Sequence, residues 1–294
     1  MEKIIIIDSN SVIHRAFHAL PPLKNKKGEV VNAVYGYLTF LFKAIRELEP
    51  DYIAACFDVS KCNFRKDLYC DYKANRQKAP DELYYQIPLV KDVLRKFQIP
   101  VFEKEGFEGD DLIGTISKKE IDNLEKIILS GDLDNLQLID DFTKVFFLGH
   151  GVNSADLFDG GKVKAKYGFN PDQVIDFKAL KGDSSDNIPG VAGIGDKTAI
   201  NLLNEYSYIE GVYENIDSIK GALKEKLILG KEMAFLSKEL ARIKTDVDFE
   251  FNLDECKFGK FEKHEVVQSF EEFGFKTLIP KIPGDSMGDN LKLF

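Results

Sequence analysis

Short apolar runs alternate with helical patterns through the first half of the chain. Five runs have the length and the β-branched or aromatic content of buried strands: KIIIID, YIAACFD, IPVFE, KIILSGD and KVFFLG. Between them, VNAVYGYLTFLFKAIREL, ELYYQIPLVKDVLRKF and DDLIGTISKKEI carry apolar residues at a helical period. Strands that alternate with helices predict an α/β fold, with a mostly parallel central sheet covered by helices on both faces.

Helical patterns without strands follow after about residue 170. In PDQVIDFKALKG, Pro171 lies near the predicted helix start and Gly182 follows its end. NIPGVAGIGDKTAINLLNEY is a glycine-rich turn that leads into a helix, and two further helices are predicted near 231–243 and 262–273. The last stretch, IPGDSMGDNLKLF, has the composition of a loose tail. A smaller helical region is therefore expected after the α/β part.

The composition of the 294 residues is that of a globular protein, with 44% hydrophobic and 30% charged residues. No apolar run approaches the roughly 18 residues of a membrane helix, and MEKIIIIDSN lacks the features of a signal peptide. We therefore expect a cytoplasmic protein that does not bind membranes. The four cysteines form no CxxC pair, and His14 and His18 have no evident third ligand, which argues against a structural zinc site.

Acidic residues follow the predicted strands at one edge of the predicted sheet. Asp8, Asp58 and Asp132 each end a strand, and the carboxyl ends of parallel strands face one crevice. A lone acid at such a place is most often a helix cap or a solvated loop residue. Nine acids near this edge are harder to explain in that way: Asp8, Asp58, Glu108, Asp110, Asp111, Asp132, Asp134, Asp183 and Asp186.

Carboxylate oxygens are the ligands that Mg²⁺ and Mn²⁺ prefer in proteins. Two such ions about 3.5–4 Å apart hydrolyse phosphodiesters, because one ion generates hydroxide and the other stabilises the leaving oxygen. We therefore predict a nuclease with two Mg²⁺ or Mn²⁺ ions. Other phosphate-handling classes fit less well. A phosphatase with an aspartyl nucleophile has a second acid where Asn10 stands, and the chain has no Walker loop or dinucleotide fingerprint.

A basic segment at 61–78 stands out in a chain of net charge −9. It holds six Lys or Arg residues against two Asp residues, a local balance of 6 − 2 = +4. Tyr69 and Tyr72 lie among these cations, and cations with interleaved aromatic residues suit single-stranded nucleic acid. The alternative is a solvated basic helix with the tyrosines packed beneath it.

The turn GVAGIG places Gly190, Gly193 and Gly195 before a helix that carries Lys197. Glycines let backbone N–H groups approach an anion closely, and the helix N-terminus adds a favourable dipole. The alternative is a tight turn between two packed helices. Beside a predicted phosphodiester site, a grip on the DNA backbone is the favoured interpretation.

The chain resembles the 5′ nuclease domain of bacterial DNA polymerase I and, more widely, the flap endonuclease superfamily. Seven stretches carry the resemblance in one order along nearly the whole chain: IIIIDSNSVIHRAFHALPPL, AVYGYL, ACFD, FRKDLYCDYKANR, GFEGDDLIG, SGDLDNLQL and ALKGDSSDNIPGVAGIGDKTA. The resemblance implies a PIN-like nuclease core over 1–170, with a helical arch at about 61–85. It further implies a helical DNA-binding region over 171–280, with a helix–three-turn–helix element at about 183–207, and a flexible tail over 281–294.

The resemblance also implies roles for particular residues. Eight of the nine acids match metal ligands, while Asp111 matches an acid whose contact with the metal, direct or indirect, stays open. Lys73 and Arg76 match arch residues that contact the scissile phosphate. Tyr72 matches a residue that stacks on the terminal base, and Arg65 belongs to the same DNA-binding segment. The glycine turn matches a backbone grip that in the family can hold K⁺.

Leu133 departs from the family pattern, which has a basic residue between the paired acids. Because the acids remain, we expect activity on DNA with a 5′ flap, a nick or a free 5′ end, as in replication and repair. Two alternatives stay open: a structure-specific DNA-binding protein with weak or lost catalysis, and a ribonuclease on the same kind of sheet. A monomer is expected, either as a free-standing exonuclease or as a fragment of a longer polymerase, with a polymerase as partner in cis or in trans.

Overall fold

A computed structural model describes residues 1–59, 63–149, 151 and 154–284 of the chain. Most of the predicted tail, 285–294, lies outside this part, as do Lys61 and Cys62 of the basic segment. Among the helices of the described residues, none combines the length and the apolar character needed to cross a membrane.

A six-stranded sheet forms the centre of the first half and confirms the predicted α/β fold. Its strands are β1 (Glu2–Asp8), β2 (Tyr52–Cys56), β3 (Val101–Phe102), β4 (Leu124–Ser130), β5 (Thr143–Leu148) and β6 (Ala155–Phe158). They lie in the order β3-β2-β1-β4-β5-β6, and all neighbours are parallel except β6, which pairs antiparallel with β5. From β1 the chain passes to β2 and β3 on one side and returns to β4 on the other. Ligands bind at such a switch point, outside the carboxyl ends of the strands.

The α-helices of the described residues fall into two groups along the chain. Those between the strands or directly after them are α1 (Ser9–Ala19), α2 (Asn32–Leu48), α3 (Phe64–Leu68), α4 (Asp81–Lys96), α5 (Gly109–Lys118) and α6 (Gly160–Tyr167). Those that follow are α7 (Val174–Lys181), α8 (Asp196–Tyr206), α9 (Ile209–Glu214), α10 (Gly221–Leu229), α11 (Lys231–Ala241) and α12 (Lys263–Phe273). Pro88 lies inside α4, which continues on both sides of it.

The four isoleucines of β1 separate two apolar layers. Ile5 and Ile7 pack in a layer with α1, α2 and α4, whereas Ile4 and Ile6 pack in a layer with α5. All four are fully buried. A parallel strand covered on both faces needs apolar residues at successive positions, which explains the uninterrupted run in the sequence. A third apolar cluster joins α7, α8, α9 and α11 and forms the core of the helical region.

The last described helix returns to the first apolar layer. The ring centroid of Phe270 in α12 lies 6.3 Å from that of Phe97 and 6.1 Å from that of Phe42. The ring centroid of Phe275 lies 5.2 Å from that of Tyr35 in α2. The helical region expected over 171–280 therefore needs a correction at its end, because Phe261 and the apolar residues of α12 belong to the layer around α2 and α4.

A buried glutamine closes the start of α2. Val31, the residue before this helix, provides no side-chain cap. Instead, Gln86 of α4 accepts hydrogen bonds from the N–H groups of Ala33 at 2.7 Å and Val34 at 3.3 Å. The first turn of α2, which has no partners within the helix, is thus satisfied by a neighbouring helix.

Gln86→Ala should lower the free energy of unfolding by about 1–3 kcal/mol, because two buried N–H groups lose their acceptor. Chemical denaturation followed by circular dichroism measures this loss. Gln268→Ala, at an exposed position of α12, is the matched control, and it should change the free energy by less than about 0.5 kcal/mol. Equal effects of the two substitutions would show that the cap contributes nothing measurable.

Candidate active-site cleft

An open cleft of about 560 Å³ lies at the carboxyl edge of the sheet, beside β1. Six of the predicted acids line it: Asp8, Asp58, Glu108, Asp110, Asp132 and Asp186. Lys73 and Arg76 of the basic segment line the same cleft. Residues from widely separated parts of the sequence therefore meet in one place, as the positions of the acids after the strands predicted.

Two of the acids also start the helical turns that follow their strands. The Oδ1 atom of Asp8 accepts a hydrogen bond from the Ser11 N–H at 3.1 Å and caps α1. The Oδ1 atom of Asp132 accepts from the Asp134 N–H at 3.0 Å and caps a 3₁₀ helix over Leu133–Leu138. A cap uses one carboxylate oxygen and leaves the acid at the edge of the sheet. Capping and metal binding are therefore compatible roles for these acids.

Asn10 fixes the third strand-end acid and had no role assigned from the sequence. Its Nδ2 donates to Asp58 Oδ2 at 3.1 Å, and its Oδ1 accepts from the Asp58 N–H at 3.2 Å. Asp58 Oδ1 also accepts from the N–H of Gly109, in the first turn of α5, at 2.6 Å. The exposed Asp58 is thus held between the starts of α1 and α5.

Burial and mutual repulsion oppose the ionisation of the central acids. Burial raises the pKa of Asp8 to about 7, and the charges of Asp132 and Asp58 add to the shift, while hydrogen bonds to the carboxylate oppose it. Burial also raises the pKa of Asp110 well above its usual value, with Asp8 and Asp132 as the next contributors. A positive charge between these acids would relieve the repulsion and favour their ionised forms.

Cations of the basic segment pair with two other acids of the cleft. Lys73 Nζ lies 2.6 Å from Glu108 Oε1, and the guanidinium of Arg76 pairs with the Asp186 carboxylate. The Lys73 side chain is 18% exposed and the Arg76 side chain 49% exposed, so both remain accessible from the cleft. The two predicted phosphate contacts are thus placed directly beside the predicted metal ligands.

Lys178 of α7 joins the last two predicted acids, Asp134 and Asp183. Its ammonium pairs with Asp134 and lies 2.5 Å from Asp183 Oδ2. Although burial opposes ionisation, this ammonium is the main reason that the pKa of Asp183 falls to about 2. The sequence did not single out Lys178. Leu133, which departs from the family's basic residue, is 43% exposed next to Asp134.

The donor set fits a hard divalent cation. The ligands are carboxylates, and Asp8 and Asp110 are unfavourable as anions without a positive partner. As the side chains stand, no three His, Cys, Asp or Glu residues of the described chain surround one point closely enough to hold an ion. In this arrangement Glu108, Asp186 and Asp134 each pair with a Lys or Arg side chain.

Asp111 and Arg65 form a buried ion pair, and their predicted roles need correction. Arg65 is 2% exposed and donates to Asp111 Oδ1 at 2.7 Å and to Oδ2 at 2.9 Å. The Lys244 N–H also donates to Asp111 Oδ1, at 2.9 Å, and Arg65 donates to the Leu240 carbonyl at 3.0 Å. Asp111 is fully buried in this pair and is not among the residues that line the cleft, which favours an indirect role over direct metal ligation. Arg65 does not reach the surface to contact DNA, and the pair instead ties α3 to α5.

The basic segment folds onto the loop after α7 and does not form a continuous helical arch. In its described part, α3 spans five residues and turns follow up to α4. The Lys73 N–H donates to the Asp186 carbonyl at 2.9 Å. Tyr72 is 2% exposed, and its hydroxyl lies 3.3 Å from a carboxylate oxygen of both Glu108 and Asp186. The predicted stacking of Tyr72 on a base is therefore corrected for this arrangement, because the ring is covered.

The glycine turn connects α7 to α8. Gly190 has a φ of +63°, and a Cβ at this position would lie 2.2 Å from the nitrogen of Gly182, so the turn requires glycine here. The Gly190 N–H donates to Ser237 Oγ at 2.9 Å. The prediction that Gly190 contacts DNA is corrected accordingly, because its N–H group already donates to a side chain within the protein. The exposed residues of the turn remain as predicted contacts: Gly193, Gly195 and Lys197.

One face of α1 contributes further polar residues to the cleft. His14 and His18 both line it, although the sequence favoured two ordinary helix histidines. Arg15 lies between them and donates to the Gly149 carbonyl at 2.8 Å and to the Gly131 carbonyl at 3.0 Å. The four-residue spacing of the histidines was the available signal, since it puts both on one helix face.

Comparisons with known families agree with this arrangement of a sheet followed by a helical region. A model of the N-terminal resolvase-like domain of 5′-3′ exonucleases matches residues 3–168. A model of the C-terminal SAM fold of the same exonucleases matches residues 169–264. The two matches define the class as nucleases with an α/β domain followed by a helical one. The chain belongs to the 5′-3′ exonuclease family.

Relatives with high similarity are DNA polymerases. DNA polymerase I of Bacillus subtilis (strain 168) is 42% identical over 287 residues, which cover 97% of this chain and 33% of that protein. DNA polymerase I of Streptococcus pneumoniae (strain ATCC BAA-255 / R6) is 41% identical over 283 residues, which cover 94% of this chain and 32% of that protein. The chain thus spans about a third of the length of the curated relatives it matches.

Solved structures share the fold. The T5 5′-exonuclease with bound zinc has a TM-score of 0.66 at 23% identity and covers 83% of this chain and 90% of its own. The bacteriophage T5 D15 flap endonuclease in complex with DNA and metal ions has a TM-score of 0.66 at 19% identity, with coverages of 95% and 96%. Flap endonuclease-1 from Methanococcus jannaschii has a TM-score of 0.61 at 19% identity, with coverages of 95% and 90%. At these identities the likeness establishes the fold.

Asp110→Asn should stabilise the metal-free protein at pH 8. A carboxyl whose pKa is raised by folding loses stability as pH increases from its unfolded value toward its folded one, and asparagine has no such loss. We expect the melting temperature in chelator to rise by about 2–4 °C at pH 8, which corresponds to ~1 kcal/mol. The gain should shrink toward pH 4, where Asp110 is protonated. A gain that is the same at both pH values would contradict the electrostatic explanation.

Proposed function

We propose that the protein is a divalent-metal-dependent 5′-3′ exonuclease and flap endonuclease that hydrolyses phosphodiester bonds near DNA 5′ ends in replication and repair. One observation carries this proposal: six carboxylates from five segments of the chain line one cleft together with Lys73 and Arg76. Acids alone would repel a polyanion. Acids beside a loaded cation, with a lysine and an arginine next to them, provide a site for a phosphate group.

Two Mg²⁺ or Mn²⁺ ions would be held by the acids at the ends of β1, β2 and β4, at the start of α5 and in the loop after α7. When bound, they would supply an activated water and stabilise the leaving oxygen. Asp8, Asp110 and Asp132 are central, because their repulsion favours a cation between them. Asn10 orients Asp58. In this proposal, these residues hold the two ions and orient the ligands around them.

Lys73 and Arg76 are proposed to bind the scissile phosphate and stabilise the charge that develops on it. In the metal-free arrangement they neutralise Glu108 and Asp186. A carboxylate that ligates a metal has less need of a protein cation, so both side chains become available to the substrate. Preorganised cations at such a place contribute about 10²–10³-fold to the rate.

The helical region is proposed to hold the duplex next to the cleft. The turn between α7 and α8 exposes Gly193, Gly195 and Lys197, which suit contacts with the phosphate backbone. In this proposal the turn can hold K⁺, the protein acts as a monomer in the cytoplasm, and the nuclease and helical regions meet near residue 170. The bound DNA carries a 5′ flap, a nick or a free 5′ end. A polymerase acts on the product in cis or in trans.

A structure-specific DNA-binding protein with weak catalysis is the second candidate. The observations that favour it are Leu133, in the place of a basic residue, and Lys178, which occupies Asp134 and Asp183. If Lys178 stays in place, the acids near α7 are unavailable to a second ion. Both candidates bind DNA, and they differ in whether the bound DNA is cleaved efficiently.

Cleavage of a 5′-labelled DNA flap tests the proposal. The parent protein should release short 5′ products with Mg²⁺ and none with chelator. Asp132→Ala should lower the rate at least about 10²-fold, because it removes several kcal/mol of metal-dependent stabilisation. Asp156→Ala, at an exposed position of β6, is the matched control and should cleave like the parent. Flap binding without cleavage in Mg²⁺ or Mn²⁺ would favour the second candidate.

Mg²⁺ should raise the melting temperature of the parent protein. A ligand that binds the folded state at 100 times its dissociation constant stabilises it by about 2.7 kcal/mol. For a chain of this size that corresponds to a shift of roughly 5–10 °C. Differential scanning fluorimetry with millimolar Mg²⁺, against the same ionic strength of NaCl, measures it. The absence of a shift in the parent, or an equal shift in Asp132→Ala, would argue against a metal site in the cleft.

A further inference from the structure

Asn135 lies directly beneath the acid cleft. It belongs to the 3₁₀ helix after β4 and is fully buried. Its Nδ2 lies 3.3 Å from Asp8 Oδ2 and 3.2 Å from Asp110 Oδ1, so one amide group donates toward two acids from different segments. The same nitrogen lies 3.2 Å from Ser130 Oγ at the end of β4.

The other end of this amide has no partner. Asn135 Oδ1 is buried and accepts no hydrogen bond from any of the described residues. An unsatisfied buried acceptor costs about 1–3 kcal/mol. A flipped amide would point its oxygen at the carboxylates of Asp8 and Asp110, which is worse electrostatically. The acids therefore fix the orientation of the amide, and the protein retains a polar side chain here at a cost to its stability.

Ser130 extends this contact to a third acid. Its hydroxyl donates to Asp8 Oδ2 at 2.6 Å and accepts from the Asp132 N–H at 2.8 Å. Asn135 and Ser130 thus form a polar link, called here the amide–hydroxyl link, that joins Asp8, Asp110 and the backbone of Asp132. The acids that it joins come from β1, α5 and the turn after β4.

These acids need such a link because they repel one another. Without a metal, the carboxylates repel one another. Asp8 lies in β1 and Asp110 in α5, and two carboxylates cannot hydrogen-bond to each other when both are ionised. A donor between them keeps the oxygens on the same side of the cleft. Groups that orient ligands in this way are worth about 10–100-fold in metal affinity.

We propose that Asn135 is a positioning residue that sets the carboxylates of Asp8 and Asp110 side by side for a divalent cation. This inference rests on the proposed function, since it requires that the cleft binds a metal. It assigns a role to the orphaned amide that neither the sequence nor the capping of the 3₁₀ helix explains. Asn135 contacts the carboxylates that are proposed to bind the metal, and in this proposal it touches neither the metal nor the substrate.

Gln137 offers a matched control in the same 3₁₀ helix. Its amide also makes three hydrogen bonds, to the Asp134 and Ala241 carbonyls at 3.0 and 3.1 Å and from the Ile243 N–H at 2.9 Å. All of these partners are backbone groups. Loss of the Gln137 amide therefore removes a comparable number of hydrogen bonds and leaves the carboxylates of the cleft untouched.

The test is isothermal titration calorimetry of the metal-free full chain with Mn²⁺, for the parent, Asn135→Ala, Asn135→Leu and Gln137→Ala. We expect the dissociation constant for Mn²⁺ to rise about 10–100-fold in both Asn135 variants and to stay within about twofold in Gln137→Ala. Leucine has the same number and branching of side-chain heavy atoms as asparagine, is somewhat larger and lacks its donors, so it fills the space that alanine leaves as a cavity. Melting in chelator reports the structural cost of each change separately.

Flap cleavage against Mn²⁺ concentration gives the second measurement. The half-saturating Mn²⁺ concentration should rise in the Asn135 variants, while kcat at saturation stays within about threefold of the parent. A purely structural role would lower kcat without moving the half-saturating concentration and would affect Gln137→Ala as much. Unchanged Mn²⁺ affinity in both Asn135 variants overturns the positioning role alone. No Mn²⁺ binding by the parent overturns the proposed metal function as well.

Discussion

Repulsion between carboxylates is the interaction on which the cleft depends. The parallel sheet brings the ends of β1, β2 and β4 to one edge, and each end carries an acid that its surroundings partly cover. Like charges that lose water raise one another's pKa, so the metal-free cleft contains unfavourable electrostatic energy. Helix caps, the amide–hydroxyl link and three cationic side chains offset part of this energy and leave the acids in place. In the proposed function, the fold is thereby prepared for a divalent cation before the cation arrives.

The cations that neutralise the acids come from the two segments that flank the cleft. Lys73 and Arg76 hold the basic segment down on the loop after α7, and this covers Tyr72. Lys178 holds the acids on the side of α7 in the same manner. Metal binding and the position of the basic segment are therefore coupled through shared carboxylates. In the proposed function, the same side chains neutralise acids in the empty cleft and phosphate in the occupied one.

The strands and the acids at their ends were predictable because both leave a local signal: an apolar run followed by a polar residue. β6 was missed, since ADLF is short and contains an acid. The burial of Arg65 was also missed, because a charge in a basic segment gives no sign that its partner, Asp111, is buried in the first turn of α5. Asn135 and Lys178 act through neighbours that are distant in sequence. Their roles depend on three-dimensional contacts that no spacing along one chain reveals.

The return of α12 to the layer around α2 and α4 affects how the chain folds during synthesis. The central strand β1 leaves the ribosome before the other strands of the sheet, yet Phe42 and Phe97 lack their cover until the segment around Phe270 and Phe275 has been made. At about 5–20 residues per second, that interval lasts on the order of ten seconds or more. During this time the layer of α2 and α4 exposes aromatic side chains. A chaperone that binds aromatic surfaces would find its target there until the segment of α12 has been made.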